Sequence, residues 1–145
     1  MKLALVLGVC CLALACDPAR QIGIAVEPRP VMLTDSVRQA AFAVAGRVSA
    51  QHGLAPFDSK ETYWHQCFLN GNLRICGKPS ERGVEFYLFE GLAPRWSPRA
   101  DSVRRELLAS LRAQFGDRWV RECAWVQPRD PRQAGCTPAT QRDSS

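Results

Sequence analysis

Histidine is scarce in this chain, which has only His52 and His65. There is no H-E-x-x-H pair, no G-x-S-x-G elbow and no glycine loop of the phosphate-cradling kind, so the commonest hydrolase and nucleotide signatures have no footing. No two cysteines stand at the short C-x-x-C spacing of a zinc site, and no metal or other cofactor is expected. Concentrated positive charge is missing too. Arg104 and Arg105 sit beside Glu106, and Arg118 and Arg121 beside Glu122, a pattern that reads as a solvated mixed surface rather than a nucleic-acid face. Beyond residue 15 no apolar run approaches the roughly twenty residues needed to cross a bilayer as a helix.

What the chain does have is an apolar opening. Lys2 gives a short positive head, Leu3 to Ala15 carries no charge, and polar sequence begins at Asp17 after Cys16. A run of about thirteen residues is too short to span a membrane and has the layout of a cleaved export signal. Leu12-Ala13-Leu14-Ala15-Cys16 resembles the lipobox of bacterial lipoproteins. The resemblance covers the signal alone. It implies that residues 1–15 are removed and that the Cys16 thiol carries diacylglycerol. The chain would then be held at the cell envelope by lipid, facing the periplasm. One acyl chain, at about 0.8 kcal/mol per buried methylene, binds reversibly, whereas two or three make attachment lasting. Asp17 resembles the residue that retains enterobacterial lipoproteins in the inner membrane, which leans toward that membrane without deciding it. Ordinary cleavage at Ala13-x-Ala15, releasing a soluble protein, is the competing outcome.

Loss of the signal leaves about 130 residues, enough for one domain, and lowers the formal charge of +5 by the one unit that Lys2 contributes. Of the seven cysteines, Cys10 and Cys11 leave with the signal and Cys16 is committed to lipid. Four remain, and in an exported chain they read as two disulfides. Thr62 to Leu69 and Leu73 to Cys76 flank Asn70-Gly71-Asn72 and form a predicted β-hairpin. An Asn70-Gly71 turn would set Cys67 opposite Arg74. A Gly71-Asn72 turn, or a four-residue loop, sets Cys67 directly opposite Cys76, within disulfide reach. The second register is therefore expected, and Cys123–Cys136 follows by elimination.

The remaining pattern predicts an α+β two-layer sandwich, disulfide-stapled and mainly antiparallel, in the order helix, three strands, helix, strand. Residues 16–33, with Pro18, Pro28 and Pro30, read as lipid anchor and tether; alternating Ile22, Ile24 and Val26 admit a short edge strand. The globular domain spans 34–126. Its first helix starts at Thr34 or Asp35, runs to about Gln51 and carries many small residues. Val84 to Glu90 is a strand with one wholly apolar face. Ser97-Pro98 opens a second helix along Ala100, Val103, Leu107, Leu111 and Phe115, which Gly116 stops. Arg118 to Val126 is a final strand, and 127–145 a mostly disordered tail apart from Cys136.

Candidate chemistry is thin. His52 is expected to cap a helix C-terminus. His65 is expected on the face of Cys67, where a disulfide would abolish any thiolate. Glu81, Glu85 and Glu90 read as solvent-facing. Trp119, Arg121 and Trp125 share a predicted strand face, a composition that binding hot spots favour, although core covering is the simpler reading. The expectation is a non-enzymatic envelope lipoprotein with a domain that binds another envelope protein or the cell wall, and with no nucleic-acid partner. An inhibitor or immunity lipoprotein against a lytic or toxic enzyme is the alternative, and a small hydrolase a further one.

Overall fold

The computed structural model describes residues 20–28, 33–91 and 96–124. The expected signal, Cys16, Trp125, Cys136 and the tail 127–145 lie outside the described residues. The elements are β1 (Arg20–Val26), α1 (Asp35–Gln51), β2 (Ala55–Phe57), β3 (Gln66–Asn70), β4 (Leu73–Pro79), β5 (Val84–Glu90), α2 (Pro98–Phe115), a 3₁₀ turn (Asp117–Trp119) and β6 (Val120–Ala124). The strands form one sheet in the order β2-β3-β4-β5-β1-β6, and every pairing is antiparallel. Both helices pack on one side of that sheet, so the α+β class and its two layers stand.

Each helix begins and ends where local chemistry dictates. The Thr34 hydroxyl accepts from Val37 N at 3.3 Å, satisfying one of the donors that a helix start leaves open. Ser97 does the same for Ala100 N at 3.0 Å, with Pro98 in the first turn, where its missing N–H costs nothing. Gly116, at φ 93°, takes α2 out of helical geometry. Ala41, Val44, Ala45 and Val48 of α1 meet Val103, Leu107 and Leu111 of α2 over Ile24, Ile75, Phe86 and Leu88 of the sheet. The small side chains of α1 bring backbone close to strand. Gly77 of β4 lies beneath Phe42, and a Cβ there would stand 2.7 Å from both the Phe42 and Phe86 rings.

The hairpin adopts the register in which Cys67 faces Cys76, with Asn70 opposite Leu73 and Gly71-Asn72 as the loop. Gly71 has φ 62°, as both primed hairpin turns require at their first central residue. The Cys67–Cys76 disulfide is formed. Cys123 is also disulfide-bonded.

Three features depart from expectation. The tether expected over 16–33 contains β1, which is an interior strand, paired with β5 on one side and β6 on the other. Its Ile24 and Val26 are buried in the core, and burial of that alternating stripe outweighs the loop character of the flanking prolines. Residues 55–57, not anticipated as a strand, form the short edge strand β2. The last strand starts at Val120 rather than Arg118, because Trp119 N bonds Gly116 O at 3.1 Å and closes a turn first. No helix among the described residues is long and apolar enough to cross a membrane.

Candidate functional site

With both helices on one side, the other side of the sheet is left to its own side chains. Cys67, Cys76, Tyr87 and Phe89 form a second buried cluster there, with Phe57 and Trp64 packed against it. The Trp64 ring meets Tyr87 edge-on at 5.5 Å and Phe89 at 5.9 Å, in the tilted arrangements that aromatic quadrupoles prefer. Its indole N–H donates to Glu61 Oε2 at 2.6 Å, which fixes the ring's rotation. The Arg74 guanidinium lies 4.5 Å over Phe89.

Glu85 and Glu90, expected in solvent, are only 7% and 2% exposed. A buried carboxylate must be compensated, and both are. Glu85 accepts from the Tyr87 hydroxyl at 2.5 Å and lies 3.8 Å from Lys78 Nζ. Glu90 accepts from Ser97 N at 2.8 Å, next to the α2 start, where negative charge is favoured. Burial pushes the Tyr87 hydroxyl well above the usual tyrosine range, and the bond to Glu85 adds to that. Further along the face, Arg121 grips Glu27 through two bonds of 3.1 and 2.9 Å. Arg104 ties Asp101 of its own helix to Glu122 of β6. Its guanidinium holds the Asp101 carboxyl below the ordinary aspartate value.

A notch opens at the edge of this face where β2 parts from β3. Pairing of the two strands ends at Phe57 opposite Cys67. Asp58 and Ser59 then turn away, and the gap is closed on the other side by Trp64 to Gln66. The resulting cavity measures about 500 Å³, within the usual span of small-ligand sites. One wall is the pinned Trp64 ring, and Phe57 and the half-cystine Cys67 complete the lining. Gln66 lies opposite Gly77 and shares the helix-facing side of β3 with Phe68, so its buried Oε1 does not open onto the Trp64 wall. The Ser59 hydroxyl lies 3.5 Å from Glu61 Oε2, and Asp58 is exposed. Asp58 and Ser59 thus set polar groups at the rim of an aromatic wall. The sulfur of Cys67 is oxidised in the disulfide with Cys76 and supplies no thiolate.

The expected site residues are dispersed. Trp119 does not share a strand face with Arg121; it sits half-buried in the 3₁₀ turn, its ring 4.7 Å from the Arg118 guanidinium. Cys123 is buried on the helix-free side, and Trp125 lies outside the described residues. His52 caps α1 as expected and also bonds Glu106 Oε2 at 2.6 Å, linking the two helices. His65 precedes β3, and its ring rests 4.5 Å from Phe42 of α1, so it is not a neighbour of the Cys67 sulfur in the way strand alternation implied. Trp64 was missed as a site residue. Its signal was the Tyr63-Trp64-His65 triplet placed directly before a strand and after a polar loop. Among the described residues no group of three or more His, Cys, Asp or Glu side chains is placed to hold a metal ion. No protein-family model, curated protein or solved structure matches the chain.

Proposed function

We propose that this chain is a lipid-anchored envelope lipoprotein whose folded domain works by binding an envelope component at the notch between β2 and the approach to β3. The anchor rests on the resemblance of Leu12 to Cys16 to a lipobox. The binding reading is carried by one observation: a cavity of about 500 Å³ walled by a tryptophan that is held in place from two sides. Because Trp64 is already ordered, little conformational freedom remains to be lost on binding.

The test is co-sedimentation with isolated cell envelopes, using the chain carrying Cys16→Ala so that lipid does not itself bring it down. The protein is expected to pellet with envelopes, and Asp58→Arg, at an exposed position of the lining, to pellet less while keeping the same melting temperature. Equal pelleting of the two would remove the notch as the working surface. A stoichiometric complex with a lytic enzyme would assign the inhibitor role instead.

A further inference from the structure

Resting on the reading of Cys16 as the lipid anchor, we propose that the end of the sheet carrying the Asn70–Asn72 turn is the surface the domain sets against phospholipid headgroups, so that the notch beside Trp64 is held on the side away from the membrane.

The anchor is close to the fold. β1 starts at Arg20, four residues after Cys16, and is fixed between β5 and β6. Whatever path they take, four residues reach at most about 14 Å, so the Arg20 end of β1 cannot leave the neighbourhood of the acylated residue. The strand register names what shares that end. Arg20 lies opposite Glu90, Glu90 opposite Leu73, and Leu73 opposite Asn70, with the Gly71-Asn72 loop and Gly91 just beyond. At the other end Val26 lies opposite Val84, and Val84 opposite Pro79. The seven residues of β4 put the two ends about 20 Å apart. The notch belongs to the far half. It opens past the Phe57–Cys67 pair, where Asp58 leads out of β2 and Trp64 and His65 lead into β3 from the side of Gly77 and Lys78.

The anchor-side end is tied into one plate. Asn70 Nδ2 donates to Gly53 O at 2.6 Å, joining the hairpin to the end of α1. Arg99, in the first turn of α2, donates to Asn70 Oδ1 at 3.3 Å and to His52 O at 2.8 Å. Asn72 Nδ2 donates to Gly91 O at 2.9 Å, and Gly91 N to Asn72 O at 3.1 Å. The carboxylates nearest this plate are engaged: Glu90 with Ser97 N, Asp101 with Arg104 and Arg105, and Glu106 with His52. Arg99 is exposed, and Leu69 beside the turn is a large apolar side chain left 39% exposed. An arginine and a leucine among neutral amide groups suit a headgroup layer, which carries negative charge and borders the apolar acyl region. The exposed carboxylates of Asp35, Glu81 and Asp117 lie at the opposite end, where a helix start, the β4–β5 loop and the turn after α2 meet. A second groove, of about 480 Å³, has Arg105 and Arg112 flanking Leu108 midway along α2, so it faces sideways rather than toward the lipid.

The experiment is NMR of the chain purified from membranes, ¹⁵N-labelled at glycine and placed in nanodiscs of phosphatidylethanolamine and phosphatidylglycerol. A fraction of the lipid carries a gadolinium chelate at its headgroup, and mass spectrometry first establishes that the chain is acylated. The Gly53, Gly71 and Gly91 amides, at the anchor end, are expected to lose most of their intensity. Gly83, in the β4–β5 loop, and Gly116, about 27 Å along α2 from Pro98, are expected to keep theirs. Inserting ten Gly/Ser residues between Pro18 and Ala19 lengthens the reach about threefold and should remove most of that contrast without altering the fold. Broadening that is uniform across the glycines of an acylated chain overturns the orientation and leaves the lipoprotein reading standing. Stronger loss at Gly83 and Gly116 than at Gly71 overturns it too, and a contrast indifferent to the insertion refutes the short reach as its cause. A chain that matures without acyl groups overturns the anchor reading and this orientation with it.

Discussion

Substituting Gly77 by alanine probes how closely α1 approaches the sheet. One added methyl at position 77 would stand 2.7 Å from Phe42 Cε1, 2.7 Å from Phe86 Cε1 and 2.8 Å from Phe86 Cδ1. Carbon atoms in contact prefer about 3.5–4.0 Å, so both rings must shift. Overpacking of this kind costs about 1–3 kcal/mol. Displacement of two rings at once puts the cost at the upper end, so after the roughly 0.5–1 kcal/mol of backbone entropy that replacing a strand glycine returns, a net loss of about 2 kcal/mol remains. For a domain of this size that is a fall in melting temperature of roughly 4–15 °C, read by far-ultraviolet circular dichroism. The partner of the strain can be identified. Phe42→Leu should cost stability alone, yet in combination with Gly77→Ala it should cost less than the sum of the two, because the smaller side chain makes room. Since the Phe42 ring also bears on His65 at 4.5 Å, Gly77→Ala should shift His65 signals in NMR. An unchanged melting temperature, or strictly additive losses, would refute the packing of α1 over Gly77.

Three further outcomes follow from the same contacts. Tyr87 is held protonated well above its ordinary value of about 10, so its contribution is fully present below that pH and is lost as pH rises toward the higher folded value. Wild-type stability should therefore decline above about pH 10 more steeply than that of Tyr87→Phe, and parallel decline in the two would contradict the assignment. Replacing Cys67 and Cys76 together by alanine should lower stability by about 2–3 kcal/mol in denaturant titrations, and tryptic mass mapping of the wild type should link those two residues; a Cys67–Cys123 peptide would overturn the register. Cys16→Ala should abolish metabolic labelling by fatty acid, and labelling that persists would exclude Cys16 as the lipid site.

Much of the fold could be read from local signals. Ser97-Pro98 and Gly116 bound α2 because a cap, a proline in the first turn and a positive-φ glycine act within one turn of chain. The Cys67–Cys76 register was legible because a disulfide tolerates only direct opposition in a hairpin. What escaped was set by distant partners. The place of β1 inside the sheet, between β5 and the edge strand β6, depends on pairing with residues 84–90 and 120–124, which no period within 20–26 reveals. Glu85 and Glu90 looked solvent-facing because their compensation comes from the Tyr87 hydroxyl, Lys78 and the Ser97 N–H rather than from an obvious charge partner in sequence. The notch was invisible for a similar reason. It exists only where β2 leaves β3 after Phe57, and β2 is a three-residue strand with a proline at its centre. Trp119 and Arg121 drew notice by composition alone; the turn at Gly116 to Trp119 separates them.

The central claim is that the notch beside Trp64 is where this protein meets its envelope partner, and site-specific photo-cross-linking in living cells tests it most directly. A photoreactive residue in place of Ser59 stands in the lining of the notch, and one in place of Arg112 stands in the groove of α2. A cross-linked envelope product is expected from position 59 that disappears when Asp58→Arg is added, and none from position 112. A product from position 112 alone, or a position 59 product indifferent to Asp58→Arg, would contradict the notch as the working surface.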